Sequence, residues 1–313
     1  MTRSILIAGA TGNTGQSAVE TLSRLLGSKP SFSDYKIIAL TRSKDSATAQ
    51  SLAKLPFVQL EEKSWVEVTP EWLQENNVER AFIAPHLQTN QFAEESTFHL
   101  ALLHANVKYV VRISTAHVAV RPDSKSYYQR AHWAIEALLS SPEFEKLQFT
   151  SLQPNAFGPT YLYSAAEFVK NFRNTGKQGT LGLMAPKDFP VAIIHPPEIG
   201  VVAAHLLAEE DTSKHNKAKY VLNGPKGVTG QQIVQMVEQA IGTSVENVVY
   251  KDMSSVDSLL DGLQNESRNV ISSLRYALEA TWEGKPSGAT SPEILDMGLL
   301  KHTPAEMFNS LIN

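Results

Sequence analysis

The chain has 313 residues, 42% of them hydrophobic and 19% charged, with a net charge of −4 at pH 7. This is ordinary globular composition, long enough for one large domain with an appended lobe or two closely packed domains. The slightly acidic balance argues against a nucleic-acid partner, which needs a concentrated basic face, and the absence of cysteine excludes disulfides and cysteine-based metal or nucleophile sites.

The first apolar run follows Met1, Thr2, Arg3 and Ser4 and breaks at Gly9, too short for a signal core or a spanning helix. No later segment approaches spanning length, so a soluble, cytoplasmic chain with no membrane partner is expected. Residues 5–8 read as a short buried strand. Residues 14–26 carry Ala18, Val19, Leu22, Leu25 and Leu26 at helical spacing. Strands are expected at 36–41, 57–60, 81–84, 109–114 and 149–152. Helices are expected from 69 to 75 (with Pro70 in the first turn), over 90–105 and over 126–140. This alternation predicts an α/β fold, a doubly wound parallel sheet covered on both faces. After Pro154 the rhythm changes to dense glycine, proline and aromatic residues. A strand at 191–195 and a helix from about Pro197 follow, and the chain beyond Tyr220 reads as mostly helical. The expected division is a nucleotide-binding unit over 1–155, with 190–210 folding back onto it, and a smaller C-terminal substrate lobe over 156–313.

Gly9, Ala10, Thr11, Gly12, Asn13, Thr14 and Gly15 follow the first strand and open the first helix. Gly9 permits a tight turn, Gly12 lets backbone approach a diphosphate, and Gly15 lets the helix pack close to the sheet. Free amides and the positive end of the helix favour the anion, and Thr11, Asn13 and Thr14 add short polar side chains. Alone the glycines describe only a tight turn; their place between strand and amphipathic helix makes them a dinucleotide loop. The second strand ends at Arg42, with Ser43 and Lys44 behind it, where an NAD site would place a carboxylate. A cation there suits a 2′-phosphate, so NADP(H) is the expected cofactor.

The fifth strand ends at Ser114, and the next helix carries Tyr128 and His132 on one face. No tyrosine in the chain has a lysine four residues later; Tyr128 has His132. A histidine of ordinary pKa (about 6.5) is mostly neutral at pH 7 and activates a phenol more weakly than lysine. His132 can still bond a ribose hydroxyl or relay a proton, or the pair can simply line a helix–sheet interface. Hydride acceptors that need no strong enzymic acid, such as C=N, quinone or conjugated groups, tolerate this arrangement better than plain ketones. Pro85, His86 and His117 sit at strand ends facing the expected crevice. Phe157, Tyr161, Tyr163, Phe168 and Phe172 could wall an apolar pocket, with core packing the default reading. No metal site or hydrolase elbow is legible.

Together these residues resemble the NmrA-like family of atypical short-chain dehydrogenase/reductases. The resemblance rests on the glycine loop with Asn13 and Thr14, on Arg42, and on His132, Glu136 and Leu139 in one helix. It extends to Leu152, Gln153, Pro154, Asn155 and Phe157, to Pro197, Glu198, Ile199 and Gly200, and to Tyr220 through Pro225 with Thr290 to Ile294. It implies a Rossmann sheet of strand order 3-2-1-4-5-6, NADP(H) across the strand ends, and a segment including Pro154, Asn155 and Phe157 running past the nicotinamide. It does not fix the activity. One expectation is an NADPH-dependent reductase of a small, largely apolar organic substrate, such as an intermediate of fungal-type secondary metabolism, with or without ring formation. Tyr128, His132 and Ser114 would then act in catalysis, and Phe157, Tyr161, Tyr163 and Phe168 would enclose the substrate. The other is an NADP(H)-sensing regulator that acts through a protein partner. Val256, Leu259, Leu260, Leu263, Val270, Ile271 and Leu274 could serve either.

Overall fold

The computed structural model describes residues 2–254, 256–257, 266–282 and 289–313. Its centre is a seven-stranded sheet. The strands are β1 (Arg3–Ala8), β2 (Tyr35–Thr41), β3 (Val58–Glu62), β4 (Val78–Ile83), β5 (Tyr109–Ile113), β6 (Gln148–Pro154) and β10 (Ala218–Leu222). Their order is β10-β6-β5-β4-β1-β2-β3 and every pairing is parallel. Strands 1 to 6 therefore take the order 3-2-1-4-5-6, with one more strand beside β6.

A parallel sheet buried on both faces needs apolar side chains on both faces of each strand. In β1, Ile5 and Ile7 point to one side and Leu6 and Ala8 to the other, all without exposure. The first side packs against α1 (Gly15–Ser28) through Ala18, Val19 and Leu22, and against α7 (Pro196–Leu207) through Ile199, Val202 and Leu206. The second packs against α4 (Gln91–His104) and α5 (Tyr127–Leu139) through Phe98, Leu102, Ile135 and Leu139. Gly200 sets the approach of α7 to α1, because a Cβ there would lie 2.0 Å from the Thr14 carbonyl oxygen. Ser17 Oγ donates to the Pro197 carbonyl at 2.6 Å across the same junction.

Two elements depart from the sequence reading. Residues 158–175, to which the sequence reading assigned no element, form an 18-residue helix, α6 (Gly158–Thr175). Pro159 occupies its first turn, where the missing N–H matters least, and Gly176 ends it at φ +66°. Its buried stripe of Tyr161, Leu162, Ala165, Ala166, Phe168 and Val169 has helical period. Residues 218–222, read as part of a helical remainder, supply β10. The C-terminal lobe also contains two small sheets. One joins β7 (Ala156–Phe157), β9 (Val191–Ile194) and β11 (Gly227–Val228); the other joins β8 (Thr180–Leu183) and β12 (Asn247–Tyr250). With α6, α8 (Gly230–Ile241) and the helix Pro304–Ile312 they enclose a third core around Leu162, Ile193, Val237 and Phe308. Leu259, Leu260 and Leu263 lie outside the described residues. No helix among the described residues is long and apolar enough to cross a membrane.

Candidate dinucleotide and reduction site

All seven strands run the same way, so the residues that follow them emerge at one edge. The chain leaves β1 towards β2 and β3, then crosses back to begin β4 on the other flank. The carboxyl ends of β1 and β4 thus border the switch point, where an open α/β sheet leaves a crevice. Gly9 and Ala84 face each other there: a Cβ on Gly9 would lie 3.4 Å from the Ala84 oxygen.

The three glycines of the loop do different work. Gly9 has φ +84°, a left-handed conformation that a side chain opposes. Gly15 has no room at all, since its Cβ would fall 2.0 Å from the Gly9 oxygen and 2.9 Å from Ala10 Cα. It therefore closes the loop upon itself, where the sequence suggested only helix–sheet packing. A Cβ on Gly12 would meet the Gly9 oxygen at 3.3 Å and nothing else within 4 Å, so this exposed glycine keeps the loop surface bare rather than relieving a clash. The Gly12 amide donates to the Gly9 carbonyl at 3.0 Å. The amides of Thr11, Asn13 and Thr14 have no acceptor among the described residues. Three free N–H groups at a helix mouth form an anion cradle.

One strand away, Thr41 Oγ1 accepts the Ser43 amide at 3.2 Å and donates to the Ser43 carbonyl at 2.9 Å, tightening the turn that displays Arg42. Arg42 is exposed and forms no hydrogen bond or ion pair among the described residues. The backbone amide of Lys44 donates to Glu62 Oε2 at 2.8 Å. Beyond β4, Pro85 leads to His86, whose Nε2 pairs with Glu94 and whose Nδ1 accepts the Gln88 amide at 3.2 Å. His86 is thereby tied to the start of α4. His117 lies in a single turn after β5, half-buried, with Nδ1 unpartnered among the described residues.

Ser114, Pro154 and Asn155 come together at the ends of β5 and β6. The Ser114 amide donates to the Leu152 carbonyl at 2.7 Å, and its buried hydroxyl faces the Glu136 carboxylate, whose pKa it helps to lower. The Asn155 amide bonds Leu222, and its side-chain oxygen takes the Ala156 amide at 3.0 Å, fixing the turn into Phe157. Tyr128 stands edge-on to His132, with centroids 4.7 Å apart and planes at 88°. Burial pushes the Tyr128 phenol above its ordinary pKa, so it stays protonated at neutral pH.

Beneath this pair lies an ionic network that the sequence reading missed. Arg112, in mid-β5, is fully buried. Its Nε donates to Glu95 Oε1 at 2.7 Å, its Nη1 to Ser151 Oγ at 3.2 Å, and its Nη2 meets His132 Nδ1 at 2.8 Å. The Ser151 hydroxyl donates to Glu136 Oε1 at 2.7 Å; Gln153 donates to the same carboxylate, and Lys219 reaches it at 3.1 Å. Gln91 donates to Glu95 Oε2 at 3.0 Å. Burial first, and the Arg112 charge second, push the His132 pKa down to about 3. Burial alone would raise Glu95, but Arg112 beside it holds the carboxyl well below its ordinary range. His132 is thus a neutral hydrogen-bond acceptor, ill-suited to relay protons at pH 7. The available signal was a charged residue inside the run Val110, Val111, Arg112, Ile113, because a charge in a buried strand requires partners.

The expected aromatic wall does not form one surface. Tyr161 and Phe168 are buried in the third core, whereas Tyr163, two residues along α6, is 60% exposed. Phe157 is half-buried against the main core, and Phe172 is half-buried. The site is instead covered by residues 266–282. Ile271 and Leu274 bury themselves on Tyr127, with Tyr128, Val256 and Val270 alongside. The Tyr127 amide donates to Ser273 Oγ at 3.0 Å, and Gln129 donates to the Ala277 carbonyl at 3.1 Å.

A doubly wound parallel sheet with a glycine loop at its switch point places the chain in the Rossmann class. Within that class it belongs to the NmrA-like family, whose model matches residues 1–277. Comparison with curated proteins gives no match. Among solved structures it is similar to the Escherichia coli NADPH-dependent quinone oxidoreductase QOR2 in complex with NADPH, at 20% identity and a TM-score of 0.73, over 99% of this chain and 100% of that one. It is also similar to the Citrobacter sp. triphenylmethane reductase complexed with NADP(H), at 19% identity and a TM-score of 0.68, over 98% and 99% of the two chains. The Vitis vinifera leucoanthocyanidin reductase–NADPH complex matches at 13% identity and a TM-score of 0.65, over 99% of each chain.

Proposed function

We propose that the chain is an NADPH-dependent reductase of a small, largely apolar organic acceptor: a quinone, an iminium or a conjugated system. The observation that carries this reading is the pairing of three unpartnered loop amides (Thr11, Asn13, Thr14) with the unpartnered Arg42 on the next strand. A diphosphate satisfies the first and a 2′-phosphate the second. The three solved structures named above, all with NADPH or NADP(H), support the cofactor and the reductase class.

In this reading residues 1–155 bind the dinucleotide and 156–313 enclose the substrate. Gly9, Gly12 and Gly15 shape the cradle, Arg42 and Ser43 hold the adenosine end, and Pro85, His86, Ser114, Pro154, Asn155 and Phe157 border the nicotinamide end. When bound, NADPH supplies a hydride. Tyr128 donates a proton where the acceptor needs one, and the Ser114 hydroxyl offers a hydrogen bond beside it. His132, clamped by Arg112, fixes the Tyr128 ring and is not itself the acid. With His132 rather than a lysine four residues after Tyr128, the site favours acceptors of a biosynthetic route that need little enzymic acid: hydride converts an iminium directly to a neutral amine, and water can protonate the hydroquinone anion left from a quinone. A regulator would show the apolar residues of 254–282 as an exposed stripe, whereas Ile271 and Leu274 are buried.

Two measurements test the proposal. Nicotinamide fluorescence should report saturable NADPH binding in preference to NADH, and a panel of quinones, enones and cyclic iminium ions should contain a member that consumes NADPH. Absence of saturable binding of either dinucleotide to the folded chain overturns it.

A further inference from the structure

We infer that His195, Glu198 and His302 form a binding site for one divalent transition-metal ion, best matched by Zn²⁺, which clasps the C-terminal segment to the start of α7. This stands apart from the reductase reading and uses none of its residues. His195 caps the start of α7 directly after β9, Glu198 lies in the first turn of α7, and His302 stands two residues before the helix Pro304–Ile312. Each offers one ligand atom, and the three atoms lie within 4.8 Å of one another.

Proximity alone would not suffice; the decisive feature is what the cluster leaves unsatisfied. Glu198 is only 5% exposed. Its Oε1 is saturated, accepting the Lys301 amide at 2.7 Å, the His302 amide at 3.0 Å and His302 Nδ1 at 2.8 Å. Its Oε2 is buried with no partner among the described residues, and so is Nδ1 of His195. A carboxylate oxygen and an imidazole nitrogen withdrawn from water together, neither paired, is a combination that folded proteins avoid unless something binds there.

The donor set narrows the occupant. Two imidazole nitrogens and one carboxylate suit Zn²⁺ and its first-row neighbours; Ca²⁺ and Mg²⁺ demand more oxygen. Three protein ligands leave a fourth tetrahedral position to water. Tetrahedral donors at zinc distances stand roughly 3.3 Å apart, closer than the 4.8 Å span here. His302 can close that gap, because its side chain is 49% exposed and its ring can leave the 4.2 Å stack on His195, exchanging its bond to Glu198 Oε1 for the metal. His195 and Glu198 are fixed by the fold and form the rigid half of the site.

A filled site would fasten the last helix. Met307 of that helix is packed where a Cβ on Gly158 would fall, 2.4 Å from its sulfur, and Gly158 begins α6 directly after Phe157. The ion would therefore stiffen the wall of the lobe next to the strand ends without entering them.

The test uses the full chain, freed of any histidine tag and stripped with chelator. Titration with Co²⁺ should give a visible ligand-field band saturating at one equivalent, displaced by Zn²⁺. Excess Zn²⁺ at a hundredfold its dissociation constant should raise the melting temperature by roughly 5 °C. His302→Asn, an exposed change that leaves the core intact, should weaken Co²⁺ binding at least tenfold and abolish the band, and His195→Asn should do the same. Binding of unchanged strength in both variants would locate the ion elsewhere and overturn the assignment. So would the absence of a saturable band in the parent chain, which would leave an ordered water as the partner of the two orphaned atoms.

Discussion

Replacing Arg42 with alanine isolates the adenosine end of the proposed site from the stability of the fold. Arg42 touches no partner among the described residues, so its removal should change unfolding free energy by less than about 0.5 kcal/mol. Its role in binding is larger. A guanidinium that hydrogen-bonds a 2′-phosphate contributes about 1.5–3 kcal/mol, the range of bonds to charged groups. That converts to a roughly 10- to 150-fold rise in the Kd for NADPH. NADH carries no phosphate there, so its Kd should move less than about twofold on the same scale. Because Arg42 is exposed, salt should erode the NADPH advantage of the parent chain and leave the variant nearly insensitive. Fluorescence titrations of both dinucleotides at two ionic strengths measure all four quantities. Equal weakening of NADPH and NADH, or no weakening of either, would remove Arg42 from the phosphate site.

Gly12→Val should leave a folded chain that no longer binds dinucleotide, because its side chain enters open surface; Gly15→Ala should lower the melting temperature as well, because its methyl has nowhere to go. Similar effects of the two on thermal unfolding would refute this division of roles. His132 has its pKa depressed in the folded state, so its contribution to stability is complete above pH 6.5 and is lost as pH falls towards 3. Native stability should therefore slope upward between pH 5 and 6.5 by as much as about 1.4 kcal/mol per unit from this residue, and His132→Asn should flatten that slope in denaturant titrations. An unchanged slope would mean that His132 titrates freely. His132→Lys should destabilise the chain by about 3–4 kcal/mol, the repulsion of two cations some 4 Å apart at an effective dielectric of 20. A melting temperature equal to that of the parent would show that Glu95 and Glu136 absorb the second charge.

The sheet was legible because its strands are short continuous apolar runs with helical periods between them, and because parallel crossovers restrict the topology. The glycine loop and Arg42 were legible for a related reason: their chemistry is local, set by neighbours within a few residues. Two elements were missed. Gly158 and Pro159 look like breakers, although proline in a first turn starts a helix, and β10 is a five-residue strand whose partner, β6, lies some 70 residues earlier. The aromatic wall failed because residue type says nothing about direction: Tyr161 and Tyr163 are two steps apart on a helix and so face opposite ways. The ionic network joins α4, β5, α5 and β6, and no spacing within one segment encodes it. The pairing of His195 and Glu198 with His302 is equally distant in sequence.

The network also accounts for the most conspicuous departure in the sequence, a histidine four residues after Tyr128 in place of lysine. A lysine at that position needs an environment that welcomes a cation. Here the cation is already present, delivered by β5 as Arg112 and neutralised from two sides by Glu95 and Glu136. With Nη2 of Arg112 only 2.8 Å from the ring, the neighbouring side chain must accept a hydrogen bond rather than carry a second charge, and a neutral imidazole does so. The positive charge has moved from the helix to the strand beneath it. There it is fully buried and separated from Tyr128 by the imidazole. Such a charge orients the phenol through His132 without drawing its pKa into the neutral range, and burial pushes that pKa upward. The arrangement therefore suits a protonated donor that follows hydride arrival, and disfavours a base that must take a proton from an alcohol. In the proposed reductase reading, this chemistry fits a site that works in the direction of reduction.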